Sequence, residues 1–156
     1  MPDGLIVRSD EGTEYSKGPS LWKAAGRQTG GRFDFLVLTL AYATGPGLHV
    51  HRTQEDTFYV LEGVLTVQVG DELYDLEPGD FASAPPGVPH TFDNTRKDQG
   101  LVKAINLMTP GGYEGYFAEF DELGEQELDP EVVRKICERY EVTYVGPPLR
   151  EKLALS

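Results

Sequence analysis

His49-Val50-His51-Arg52-Thr53-Gln54-Glu55-Asp56-Thr57-Phe58-Tyr59-Val60-Leu61-Glu62-Gly63 is the stretch on which the reading of this 156-residue chain turns. Its partner is Pro85-Pro86-Gly87-Val88-Pro89-His90-Thr91-Phe92-Asp93-Asn94. The chain has three histidines, and all of them fall in these two segments. In an extended segment alternate side chains share a face, so His49 and His51 present two imidazoles to one point. His90 from another strand supplies a third, and a carboxylate from Glu55 or Asp56 the fourth. Imidazoles with one carboxylate and open positions describe a catalytic or ligand-accepting transition-metal site better than a structural one.

The sequence around these segments reads as strands. Phe33 to Ala43 (FDFLVLTLAYA) is rich in apolar, β-branched and aromatic residues and reads as a central strand, broken by Thr44-Gly45-Pro46-Gly47. From Thr57 to Leu76 the pattern is strand, turn, strand, turn, strand, with turns at Glu62-Gly63 and Gly70-Asp71. Phe81 to Ala84 is a short strand, and Leu101 to Met108 another, with Lys103 outward. Pro85 to Pro89 is too stiff for regular structure and suits a loop that holds His90 at a fixed angle. The first 32 residues read as lead-in strands and loops, over Leu5 to Val7 and Leu21 to Ala25, with a hairpin-like turn at Gln28 to Arg32. Many short strands with Gly/Pro turns argue for an antiparallel sandwich or barrel.

After Thr109 the periodicity becomes helical. Tyr113 to Leu123 places Tyr116, Phe117 and Phe120 at helical spacing despite Gly115. Asp129-Pro130-Glu131 is a helix start, and Val132, Val133, Ile136, Cys137 and Tyr140 form one apolar stripe. Val142 to Val145 reads as an extended tail, which together with the helices either packs on the barrel, caps its mouth or reaches a second subunit.

The two segments resemble the paired motifs of the cupin superfamily. Gly79, Pro85, Gly87, His90 and Asn94 match every fixed position of the second motif, and His49, His51 and Gly63 match the first. Ala43 stands where the first motif opens with Gly, and counting back from Gly63 puts Asp56 where most of the family carries Glu, while Glu55 stands one place earlier. The wording FYVLEG and the segment NLMTPGGYEGYFAEF are similar to the small single-domain bacterial cupins described as quercetin dioxygenase-like. The resemblance implies a mainly β fold, a double-stranded β-helix or jelly-roll barrel, as one domain over 1–156, with a barrel core over about 33–109 and a helical extension over about 113–145.

The resemblance also implies one divalent transition metal ion (Fe, Mn, Ni, Co, Cu or Zn) held by His49, His51, Asp56 and His90. With it comes a dioxygenase-like activity on a small enol or phenol, with Asp56 or Glu55 as base. Redox-neutral isomerisation or cyclisation, and non-catalytic binding of a small ligand, remain alternatives, since fold alone does not choose among them. Tyr42, Phe58, Tyr59, Phe92, Asn106 and Met108 are candidates to line the interior, and Asn94 or Asp93 to orient the histidines. Small cupins commonly dimerise through edge strands, so a homodimer is expected.

Charge and composition narrow the partners. With 26 acidic against 14 basic residues the net charge is −12, which repels nucleic acid and anionic membranes and leaves a small molecule as the expected partner. No stretch is long and apolar enough for a membrane span, and the start MPDGLIVRSDEG lacks a leader's basic and apolar parts. Cys137 is alone, which suits a reducing cytoplasm, and it reads as a small apolar residue rather than a nucleophile.

Overall fold

The computed structural model describes residues 4–18 and 20–156. In chain order these form β1 (Thr13–Glu14), β2 (Ser20–Ala24), α1 (Gly26–Thr29), β3 (Asp34–Leu40), β4 (Gly47–His51), β5 (Glu55–Glu62), β6 (Leu65–Val69) and β7 (Glu72–Leu76). Then come β8 (Phe81–Ala84), β9 (His90–Asp93), β10 (Val102–Thr109), α2 (Glu114–Leu123), α3 (Pro130–Arg139), β11 (Val142–Pro148) and α4 (Leu149–Lys152). The strands make two antiparallel sheets, ordered β1-β2-β3-β10-β5-β8 and β11-β4-β9-β6-β7. The fold is the jelly roll that the motifs imply.

The Phe33–Ala43 run becomes β3, set between β2 and β10, as a strand of that apolarity requires. Leu36, Leu38 and Leu40 point inward, while Phe35, Val37 and Thr39 lie half-buried on the outer face. Leu38 and Leu40 pack with Phe58, Val60, Leu65, Val67, Phe92, Val102 and Ala104 into a core between the sheets. Glu62-Gly63 is the turn expected, but it carries the chain from one sheet to the other and does not close a hairpin. Gly63 serves there because its φ is 76° and a Cβ would come within 3.1 Å of Val102.

A second cluster, with Trp22, Leu36, Met108, Tyr113, Tyr116, Phe120, Ile136 and Val142, seats α2 and α3 on the sheets. The start of α2 is fastened by a buried carboxylate. Asp34 accepts backbone hydrogen bonds from Gly26 at 2.7 Å, Gly112 at 3.0 Å and Tyr113 at 2.9 Å. Asp129 caps α3 by accepting from the Glu131 amide at 2.8 Å, as the Asp-Pro-Glu start requires. The apolar stripe of α3 is narrower than its sequence suggests: Ile136 is buried, but Val132 is exposed.

Three local expectations are revised. Leu5 to Val7 joins no strand, and Gln28 to Arg32 is the end of a one-turn helix followed by two left-handed glycines, Gly30 and Gly31. The extended tail is a sheet member: β11 pairs with β4, setting Val142 opposite His51 and Tyr144 opposite His49. Short alternation of apolar and polar residues in a terminal segment gives no sign of the strand it will pair with.

Candidate metal centre

β4 places His49 and His51 on its inward face, buried, with outward Val50 between them. β9 pairs with β4 so that His90 lies directly opposite His49. The stiff loop before β9 is tied to this strand by the Gly87 amide, which donates to the His51 carbonyl at 2.9 Å. Asp56 comes from β5 in the opposite sheet, between Met108 of β10 and Ala84 of β8. One ligand atom from each of the four buried side chains lies within 4.8 Å of the others.

Strand parity separates the two acidic candidates. Asp56 turns inward, with its Oδ2 at 2.9 Å from His90 Nε2 and 3.6 Å from His51 Nε2. Glu55, one residue earlier, faces the other way and accepts a hydrogen bond from Ser83 Oγ at 2.5 Å. Glu55 is therefore not brought to the cluster, and no bulge in β5 restores it.

The imidazoles are oriented by main-chain carbonyls. His49 Nδ1 donates to Gly47 O at 2.8 Å and His90 Nδ1 to Val88 O at 2.9 Å, so in both rings Nδ1 is turned away and Nε2 faces the cluster, where that of His90 donates to Asp56 Oδ2. Among the described residues His51 Nδ1 has no hydrogen-bond partner. Asn94 and Asp93 do other work than orienting these rings. Asn94 Nδ2 donates to Leu40 O at 3.2 Å and Gly100 O at 2.7 Å, and Asp93 Oδ1 accepts from the amides of Thr44 at 3.0 Å and Asn94 at 2.8 Å.

The carboxylate's support is Asn106, whose Nδ2 donates to Asp56 Oδ1 at 2.5 Å and to Thr57 O at 3.0 Å. Its signal in the sequence is a lone amide in LVKAINLM at an inward position, where Val102, Ala104 and Met108 are apolar.

Burial pulls His49 down to about 3, assisted by the fields of His90 and His51, so its ring is neutral and its Nε2 lone pair free. Burial alone would push Asp56 up, but hydrogen bonds and positive field from His51 and His90 outweigh it and hold the carboxyl below the usual range. Against the same desolvation, the hydrogen bond to Asp56 raises His90. Three imidazoles, His49 among them neutral, and an ionised carboxylate converge on one buried point; once His90 gives up its Nε2 proton they are the donor set of a mononuclear transition-metal site, and the four residues fit such an ion.

The cluster opens on a cavity of about 590 Å³. Phe92, Asn106 and Met108 line it as expected. The other three candidates do not: Phe58 is buried in the core between the sheets, Tyr59 is 43 % exposed on the outer face, and the Tyr42 hydroxyl binds Ser156 O at 3.1 Å. Sequence reading missed Tyr113, Tyr116 and Tyr144, which form an aromatic wall. Tyr113 packs edge-on against His51 with ring centroids 4.8 Å apart, and Tyr144 lies 5.6 Å from His49. Burial raises the phenol pKa of all three, leaving neutral hydroxyls beside the imidazoles.

Residues 36–105, which contain both motif segments, match the family model described as the cupin domain, and this stretch of the chain is a cupin domain. Among similar curated proteins, quercetin 2,3-dioxygenase of Bacillus subtilis (strain 168) is 27 % identical over 83 % of this chain and 39 % of its own length. Acireductone dioxygenase of Stenotrophomonas maltophilia (strain K279a) is 35 % identical over 47 % of this chain and 40 % of its own length. The chain thus spans about two fifths of the length of these relatives. Among solved structures, TT1209 from Thermus thermophilus superposes with a TM-score of 0.56 at 25 % identity, over 69 % of this chain and 98 % of that one. No helix among the described residues is long and apolar enough to cross a membrane.

If Asn106 holds Asp56 in register for a metal, Asn106→Leu will weaken affinity for a divalent ion by about 10–100-fold. Competition with a chromogenic chelator measures this, and unchanged affinity would remove Asn106 from the centre.

Proposed function

We propose that this cupin is a metal-dependent oxygenase of the dioxygenase type, acting on a small enol or phenol at a mononuclear divalent ion held by His49, His51, Asp56 and His90. The observation that carries the proposal is the buried four-residue donor set at one wall of an aromatic cavity of about 590 Å³. The names of two similar curated proteins, both dioxygenases, lend support. The ion, when bound, supplies Lewis acidity and, if redox-active, a path for electrons between substrate and dioxygen.

The chain's own residues do the rest. Phe92, Met108 and the three tyrosines surround the substrate with aromatic and apolar surface that keeps water from the reacting carbon. Asp56 is the one carboxylate lining the cavity and so the group placed to take the enol proton, which requires Oδ2 to be released from His90 because Oδ1 is held by Asn106. His49 and His90, fixed by carbonyls two residues upstream in each case, keep their geometry as the substrate enters.

With the metal-loaded protein and quercetin as probe, substrate loss should match oxygen uptake one for one and stop under argon. Turnover that continues without oxygen would replace this reading with a redox-neutral Lewis-acid reaction.

The same fold supports a proposal for assembly. Register aligns Leu21, Val37, Ile105, Tyr59 and Phe81 in one row across five strands of the larger sheet, all on its outer face. Tyr59 is 43 % and Phe81 63 % exposed, so one copy leaves an apolar band in water. A second copy packed on this face covers it, with the sheet face rather than the edge strands as the contact. Ile105→Asp should convert a dimer to a monomer by light scattering, and a monomeric unsubstituted protein would contradict the assembly.

A further inference from the structure

The charge of the cavity runs against the charge of the chain. The chain carries 26 acidic and 14 basic residues. The cavity, however, is lined by two cations, Lys17 and Arg150, and by a single acidic residue, Asp56, which is engaged by His90 and Asn106. Among the described residues neither Lys17 nor Arg150 makes a salt bridge, whereas Arg27, Arg52, Arg96, Arg134 and Arg139 do.

Both cations have exposed side chains and so stand where the cavity meets solvent. Arg150 is positioned rather than loose. It follows buried Leu149 in α4, its Nη1 donates to Gly45 O at 3.0 Å, and its charge acts on the Asp93 carboxyl without a salt bridge, while among the described residues its other guanidinium donors hold no partner. The Lys17 ammonium stands 4.3 Å from the centroid of the Phe120 ring, another part of the wall.

Nearer the centre, the hydroxyls of Tyr116 and Tyr144 are 3.0 Å apart. Tyr113 brings a third hydroxyl within hydrogen-bond reach of both, and the last hydroxyl in such a chain has its hydrogen to give to a ligand oxygen. Burial keeps both phenols protonated, so this end of the cavity also favours an oxygen bearing negative charge.

We propose that the ligand of this cavity is a small organic anion, an enol or phenol acid whose carboxylate meets Arg150 in the field of Lys17. Its hydroxyl oxygen lies toward the metal centre and accepts a hydrogen from the hydroxyl cluster of Tyr113, Tyr116 and Tyr144. This rests on the reading of His49, His51, Asp56 and His90 as a metal centre and narrows its substrate class from any enol or phenol to those carrying an acid group. Against a net charge of −12, unpaired cations at the mouth also raise the local concentration of an anion that the rest of the surface repels.

The test compares two catechols, protocatechuate and protocatechuyl alcohol, which differ in one carboxylate, by calorimetric titration of the metal-loaded protein at low ionic strength. The unsubstituted protein should bind the acid at least about fivefold more tightly than the alcohol, with the preference shrinking as salt is added. The ratio should fall toward one in Arg150→Gln, reach about one in Lys17→Gln/Arg150→Gln, and persist in Arg150→Lys. A purely structural role for Arg150 would weaken both ligands alike and leave the ratio in place. Equal binding of acid and alcohol by the unsubstituted protein, or a preference that survives the double substitution, overturns the anion assignment while leaving catechol binding at the metal intact. Binding of neither catechol overturns the metal-chelate reading and this inference together.

Discussion

A carboxylate removed from water must be matched by partners, and the matching of Asp56 organises this protein. Its two oxygens are taken from different directions: Oδ1 by the Asn106 amide on the neighbouring strand β10, and Oδ2 by His90 and His51 from the opposite sheet. The sheets must therefore close on one another at this level for the charge to be tolerated. The apolar core on one side and the helix-covered cluster on the other hold them at that spacing.

That arrangement converts fold geometry into chemistry. Desolvation strips His49 of its proton affinity, while the hydrogen bond from His90 sustains the negative charge of Asp56. Backbone carbonyls at Gly47 and Val88 settle which imidazole nitrogen faces inward, so ligand direction is set by strand and loop conformation without further side chains. The aromatic wall is supplied from outside the motif segments, by the start of α2 and by β11. Asp34 links the two regions, because its clasp on the Tyr113 amide fixes the ring that packs against His51.

Most of the barrel was legible because its signals are local. Apolar and β-branched richness marks β3 and β10, period-two alternation marks β6, prolines mark the loop before His90, and the spacing of His49 and His51 on extended chain dictates a shared inward face, while Asp56 was legible by its count from Gly63 in the motif. Parity also answers what spacing alone left open, placing Glu55 on the opposite face to Asp56. What escaped the sequence depends on pairing between distant segments. Nothing in Val142–Pro148 announces β4 as its partner, and Tyr113 and Tyr116 read as a helix's core face until α2 is set beside the imidazoles. Asn94 and Asp93 were assigned to the histidines by proximity in sequence, but they serve the turns around β9 and the Ala41–Gly45 segment.

The measurement that bears most directly on the account is elemental analysis of the protein purified without chelator, beside a His49→Ala/His90→Ala variant whose folding is checked by circular dichroism. Close to one divalent transition metal ion per chain, retained through dialysis, is expected, and none in the folded variant. Equal metal content in both proteins, or none in the unsubstituted protein after incubation with Fe, Mn, Ni, Co, Cu and Zn, would contradict the metal centre.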